Sequence, residues 1–304
     1  MSSTLQGVLK HKVVNGWRLF WLITLPMCAV IIVEMSRVDL SAAAGVSDMI
    51  GFSVRFAAPI IFLVVAISSL QILFPGPVPV WLLRNRKYIG LCFAVAMAWQ
   101  GTFIAMMSNI HRDHYFENVF YLRDELEGST GYLFLAAMVV TSFRFGSRLL
   151  SSQQWKVLHK TALYFLWAYP FSTYWWAVAH YYGTPQLHDY VFYWAGFTAF
   201  ALRIAAWGKK RWVKSASPTP LFSRIVGSAT IGFALIVAAT GAGWQKTVTA
   251  FLTGPAWSAN FELWLPFWPF EPFLSLALIG LGVMLLTIPS AAEYEEPLLA
   301  RQAE

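Results

Sequence analysis

Apolar runs of about twenty residues, separated by short polar connections, dominate the pattern along this chain. A hydrocarbon core of about 30 Å takes roughly 20 helical residues to cross. Eight stretches qualify or nearly qualify: 16–36, 50–74, 88–109, 129–149, 160–182, 189–207, 222–243 and 266–289. Their length and unbroken apolarity are wrong for barrel strands, and unpaired backbone amides are too costly in lipid, so each is expected to be a helix. The predicted fold is all-α, a polytopic membrane helix bundle of about eight transmembrane helices. The first run, Leu19 to Val33, is read as a span because Glu34 and Arg37 follow it without a small-residue cleavage pattern.

Charge then sets the sidedness. Lys10, Lys12 and Arg18, the 75–88 connection (Arg84, Arg86, Lys87), the 144–160 connection (Arg144, Arg148, Lys156, Lys160) and the 208–224 connection (Lys209, Lys210, Arg211, Lys214, Arg224) are basic. They alternate with the acidic 110–128 connection (Asp113, Glu117, Asp124, Glu125, Glu127) and with 183–188 and 244–265, which hold almost no basic residues. By the positive-inside rule both termini are expected to be cytoplasmic, in an inner (plasma) membrane. The aromatic stretches "YPFSTYWWAVAHYY" and "WSANFELWLPFWPF" fall at the outer headgroup level, where amphipathic rings are at home.

Composition narrows the chemistry. Hydrophobic residues make up 58% of the chain and charged ones 12%, against about 25% charged in ordinary soluble domains. Spans and short loops leave no room for a separate soluble catalytic domain. The net charge of +7 follows from topology, so the bilayer is the expected partner and nucleic acid is not. Cys28 and Cys92 lie inside apolar runs, which argues against a disulfide framework or a thiolate metal site. "TGAGW" and "IGLG" have no preceding strand, and no nucleophile, Walker or HExxH motif occurs; no flavin or nicotinamide site is expected. The small residues of "GSATIGFALIVAATGAG" suit close helix contact.

Several short motifs follow one another in order: "RKYIGL" (Arg86, Lys87, Gly90), the pair Thr141–Ser142, and "WKVLHK" around His159 with Tyr164 behind it. A weaker one lies in "GFSVRFAAPIIFLVVAISSLQILFPGP". Together they resemble the ferric reductase-like transmembrane family, in particular the haem-binding membrane subunits of bacterial methionine sulfoxide reductase systems, over roughly residues 50 to 207. The resemblance implies a six-helix core over 1–210, two additional helices over 211–290 and a short cytoplasmic tail over 291–304. It also implies b-type haem, held by histidines 13 or 14 residues apart on facing helices. At 1.5 Å per residue that spacing separates two haems by about 20 Å, so electrons can step across the bilayer.

The chain departs from that pattern at two positions. Gln100 stands ten residues after Gly90, where the family has histidine, and Ser172 stands thirteen residues after His159. The implied inner site is Gln100 with His159 and the outer site His114 with Ser172, each keeping one imidazole as the candidate iron ligand. Glutamine and serine are poor haem ligands. His159 is therefore open to two readings: a haem ligand, or a neutral imidazole hydrogen-bonded across helices, with Gln100 as a candidate partner. His111 and His114, at i and i+3 beside Asp113 and Glu117, could share a metal or lie in a solvated loop, the commoner case; His180 and His188 also fall toward the outer face. Glu34 and Arg55 are expected to pair, Arg203 to snorkel at the inner end of the sixth span, and Glu271 to sit in the interface.

Three functions are compatible with these features. The first is transmembrane electron transfer through b-type haem, as an oxidoreductase component working with a redox or membrane-complex partner. The second is a haem-less, non-catalytic scaffold or assembly subunit. A transporter is the weakest, because there is no inverted repeat and no pair of broken helices around a midplane charge.

Overall fold

Helix is the only regular structure among the described residues of the computed structural model, which are 3–180, 183–214, 219–253 and 272–288. The helices are α1 (Ser3–Lys10), α2 (Trp17–Met35), α3 (Ala43–Leu73), α4 (Pro77–Ile110), α5 (Arg112–His114), α6 (Leu122–Thr141), α7 (Arg144–Ser147), α8 (Ser152–Val178), α9 (Leu187–Lys214), α10 (Leu221–Thr253) and α11 (Leu274–Leu286). A 3-10 turn (Lys12–Val14) precedes α2, and a π-helical turn (Tyr115–Val119) follows α5.

Among the described residues, four helical segments are long and apolar enough to cross a membrane: α2, α3, α4 and Leu221–Gln245 of α10. The shorter α11 is equally apolar. Helices α6, α8 and α9 fall outside that group, and their sequences show why. Helix α6 opens with Asp124, Glu125 and Glu127, α8 carries Gln153, Gln154, Lys156, His159 and Lys160 in its first turns, and α9 ends in Lys209, Lys210 and Arg211.

Several expected boundaries need correction: α3 begins at Ala43 instead of 50, α4 at Pro77 instead of 88, and α9 runs to Lys214 instead of 207. The stretch 129–149 is not one helix, because α6 ends at Thr141 and Phe143 is extended before α7. Gly146 then folds back so tightly that an added Cβ would collide with the Val140 carbonyl, which explains a glycine at that point. Helix α10 continues to Thr253, past the expected end at 243. Its two late glycines each cost only about 1 kcal/mol in a helix, too little to stop one held by packing. The expected tail over 291–304, Glu271, and the part of the last span before 272 lie outside the described residues.

The chain forms two compact units, Met1–Pro170 and Phe171–Glu304. The division falls within α8, while the expected boundary near 210 falls close to the end of α9.

In the first unit α2 buries Leu19, Phe20, Thr24, Met27 and Ile31, a stripe at three- and four-residue spacing that identifies its inward face. Its other side, Trp21, Leu22, Leu25 and Ile32, is equally apolar yet exposed, the pattern of a helix facing lipid. Helix α3 is the most enclosed, with Val46, Met49, Val65 and Ile67 fully buried, and it pairs with α4 along its length. Phe20, Leu91 and Cys92 form a core with Ile23, Ile60 and Val139 around them.

A polar latch ties the chain before α2 to the start of α4. Asn85, 1% exposed, accepts from the Gly16 amide (2.9 Å) and donates to Asn15 Oδ1 and the Trp81 carbonyl (3.0 Å each). Asn15 donates to the Leu9 and His11 carbonyls, Arg84 donates to Asn15 Oδ1 (2.6 Å), and Trp81 Nε1 donates to the Val14 carbonyl. Each polar atom of the buried Asn85 amide group is thereby used, as burial requires. Gly16 has φ +65°, a left-handed conformation that suits glycine, and so lets the chain turn from this latch into α2. Helix α4 has 34 residues, which at 1.5 Å each is about 50 Å and longer than the hydrocarbon core; its first turns, held by the latch, are the excess.

The second unit rests on glycine contacts. A Cβ on Gly282 of α11 would lie 2.8 Å from the Gly227 carbonyl of α10, and the reverse substitution meets the Gly282 carbonyl at the same distance. A Cβ on Gly208 of α9 would collide with Val283. Tyr193 joins α9 to α10 by donating to the Ala238 carbonyl (2.8 Å), and Arg211 Nε donates to Thr287 Oγ1 (3.0 Å). Backbones this close require small residues.

Gly282→Leu is expected to destabilise the protein by at least about 1–3 kcal/mol through overpacking. Gly232→Leu, where nothing stands within 4 Å of the added Cβ, should not destabilise it and should gain up to about 1 kcal/mol from helix propensity. Thermal unfolding of both variants in detergent checks this; equal effects would contradict the close crossing.

Candidate functional site

The residues singled out by sequence sit in three places, and α6 organises the first. Thr141, at the last turn of α6, donates its hydroxyl to the Ala137 carbonyl at 2.6 Å. The same oxygen lies 2.9 Å from His159 Nε2 of α8. A hydroxyl has one hydrogen, so with that hydrogen on Ala137 the oxygen accepts from His159, and Nε2 carries a proton. The imidazole is also stacked on Trp155, one turn earlier in α8, with ring centroids 4.0 Å apart. The Trp155 indole in turn donates to the Thr141 carbonyl at 3.1 Å. The run "WKVLHK" thus folds so that tryptophan and histidine, four residues apart on one helical face, both grip the C-terminal end of α6.

Gln100 meets α6 elsewhere. The Tyr132 hydroxyl lies 3.2 Å from Gln100 Oε1 and 3.1 Å from the Met97 carbonyl, its one hydrogen shared between the two acceptors. Gly101 makes room for it, since an added Cβ would stand 3.3 Å from the Tyr132 ring. Tyr132 and Thr141 are nine residues apart on α6, about 13 Å along its axis. Gln100 and His159 therefore meet α6 at different levels, and the candidate hydrogen bond between them is replaced by two separate bonds to α6.

On the opposite side of the unit the histidines diverge. His111 Nε2 lies 3.4 Å from the Leu40 carbonyl in the α2–α3 turn. His114 is exposed, with Asn118 Nδ2 at 3.5 Å from its Nδ1, a weak contact. Among the described residues no three His, Cys, Asp or Glu side chains gather as a metal site. The same region holds a bond that sequence reading missed: Tyr115, in the π-helical turn, donates to the Glu125 carboxylate of α6. In the α2–α3 turn Asp39 accepts from the Ser41 hydroxyl (2.6 Å) and amide (2.9 Å), which hold its carboxyl below the ordinary value, with His111 adding a smaller pull. That contribution is present at neutral pH and is lost as pH falls through the lowered value. Glu34 takes Arg37 (3.5 Å) instead of Arg55; as an exposed pair it contributes little.

Ser172 lies in the second unit, on α8, 1% exposed. There it neighbours the fully buried Phe171, which stacks on Tyr193 (5.7 Å). His180 ends α8 with a left-handed backbone (φ +62°), and His188 pairs with Asp189 at 3.3 Å. Arg203 is half-buried on α9.

The donor set does not fit a porphyrin iron in this arrangement. His159 Nε2 is engaged by Thr141 Oγ1 at 2.9 Å, and Gln100, its implied partner ligand, is bonded on another level of α6. What the arrangement does is join three helices, α4 and α8 each hydrogen-bonded to α6. No family model, curated protein or solved structure matches this chain.

Removing the phenol hydroxyl by Tyr132→Phe should destabilise the fold by about 1 kcal/mol, and Gly101→Val should cost about 1–3 kcal/mol by displacing the ring. Chemical unfolding in mixed micelles tests both; unchanged stability in each would contradict the α4–α6 contact.

Proposed function

We propose that this chain is a haem-less, multi-pass protein of the bacterial inner membrane that serves as a scaffold or assembly subunit of a membrane complex. Eight helices cross the bilayer with both termini cytoplasmic. Helices α6, α8 and α9, with 20, 27 and 28 residues, have the length this needs. The alternation of basic and acidic connections supports the orientation.

The observation that carries this reading is the Thr141 hydroxyl, which occupies the one imidazole nitrogen that the electron-transfer reading needs. A relay through His159 and His114 would have to break that bond before any iron was gripped. The bond is worth about 1 kcal/mol between membrane helices, and it is useful here as a tie between α6 and α8.

An absorption spectrum of the full chain, purified from cells supplied with haem precursor, tests the proposal. The expected result is no Soret band before or after dithionite. A Soret band that shifts on reduction and disappears in His159→Ala would overturn it in favour of electron transfer.

A further inference from the structure

We propose that the basic end of the first unit holds the headgroup of an anionic phospholipid, at a site where Lys87 lies over an aromatic platform of Trp17, Phe143 and Phe145 and the exposed Arg144 stands between the two phenylalanines in sequence. The inference goes beyond the haem question and is independent of it, resting only on the membrane reading.

The platform is assembled from three helices. Trp17, at the first position of α2, stacks on Phe143 with ring centroids 6.2 Å apart and meets Tyr88 of α4 edge-on at 5.4 Å. Phe143 stacks on Phe145 at 5.9 Å with the planes only 10° apart. The Lys87 ammonium sits 4.7 Å above the Phe143 ring, so a cation is fixed over the platform, and Arg144 lies between the two stacked phenylalanines in sequence. Trp17 is 46% exposed and Phe145 66% exposed. Arg18, Lys87 and Arg144 are exposed as well.

Charge and depth together identify the occupant. Residues 1–33, 74–111 and 142–170, which supply this end of the unit, contain no aspartate or glutamate, so none of these stretches can neutralise the cations from within. Orientation alone asks for positive charge here; it does not ask for a lysine clamped over a half-buried ring that lies between the exposed Trp17 and Phe145. Trp17 begins the first apolar helix, and its contact with Tyr88 places the same level on α4 where the apolar part of that helix begins. The site therefore lies at headgroup depth, where rings rest against glycerol and acyl carbons and cations meet phosphate. A phosphodiester with no ammonium of its own, such as phosphatidylglycerol, satisfies both. A choline headgroup brings a cation to a cationic site and gains less.

The test uses the full chain in nonionic detergent, titrated with phosphatidylglycerol or phosphatidylcholine while the unfolding temperature is followed. Phosphatidylglycerol is expected to raise that temperature saturably, and phosphatidylcholine and inorganic phosphate to leave it nearly unchanged. Lys87→Gln and Arg144→Gln should each weaken apparent lipid affinity about fivefold, while Lys87→Arg with Arg144→Lys should retain it and Arg112→Gln, near the opposite end of α4, should not alter it. A variant that already unfolds early without lipid is replaced by its charge-retaining counterpart, and native mass spectrometry then counts bound lipid directly. The proposal is overturned if the two lipids stabilise equally, if free phosphate substitutes for the lipid, or if Lys87→Gln and Arg144→Gln bind phosphatidylglycerol as the unaltered chain does.

Discussion

A threonine hydroxyl has one hydrogen to donate, and at the end of α6 Thr141 directs it to the carbonyl one turn back. With that assignment His159 Nε2 is the donor across the α6–α8 contact. The Trp155 indole closes the same contact by reaching the Thr141 carbonyl, a group left without an intrahelical partner at a helix end. Once these three groups are satisfied together, the end of α6 and the start of α8 hold one register.

The rest of the first unit uses the same economy. Polar side chains in an apolar bundle are costly unless bonded, and several are engaged: Gln100 by Tyr132, Asn85 by Asn15, Gly16 and Trp81, Glu125 by Tyr115. These contacts set where helices touch, while the apolar stripes of α2, α3 and α4 supply area without specifying register. In the second unit, glycine does the positioning by letting α10 and α11 approach until one backbone meets the other. Both are ways of giving specificity to helices whose surfaces are otherwise uniformly apolar.

Much of the helix layout was legible in the sequence because a long apolar run has few other uses. Among the described residues six of the eight expected stretches each fall on one helix in order, 129–149 is divided between α6 and α7, and the described part of 266–289 holds α11; four of the helices have the length and apolarity to cross a membrane. The ends were less legible, since α4 begins eleven residues before its apolar stretch and the polar turns from Pro77 onward are helical for reasons outside the lipid. His159 and Thr141 were both visible as motif residues, but not as partners. Register between helices is not written in spacing along one helix, and Gln100 was as good a candidate until Tyr132 was seen to engage it thirteen ångströms away along α6. The Asn15–Asn85 latch joins residues 70 apart in sequence; its one local signal was the Asn-Gly pair placed just before an apolar run.

The separation of Gln100 from His159 is best measured by double-mutant cycles on unfolding free energy in mixed micelles. The account predicts a coupling of about 1 kcal/mol between Thr141→Val and His159→Ala, with Gln100→Ala and His159→Ala additive within about 0.5 kcal/mol. Coupling confined to the Gln100–His159 pair would contradict it, because those two side chains would then share the pocket that α6 is held here to divide.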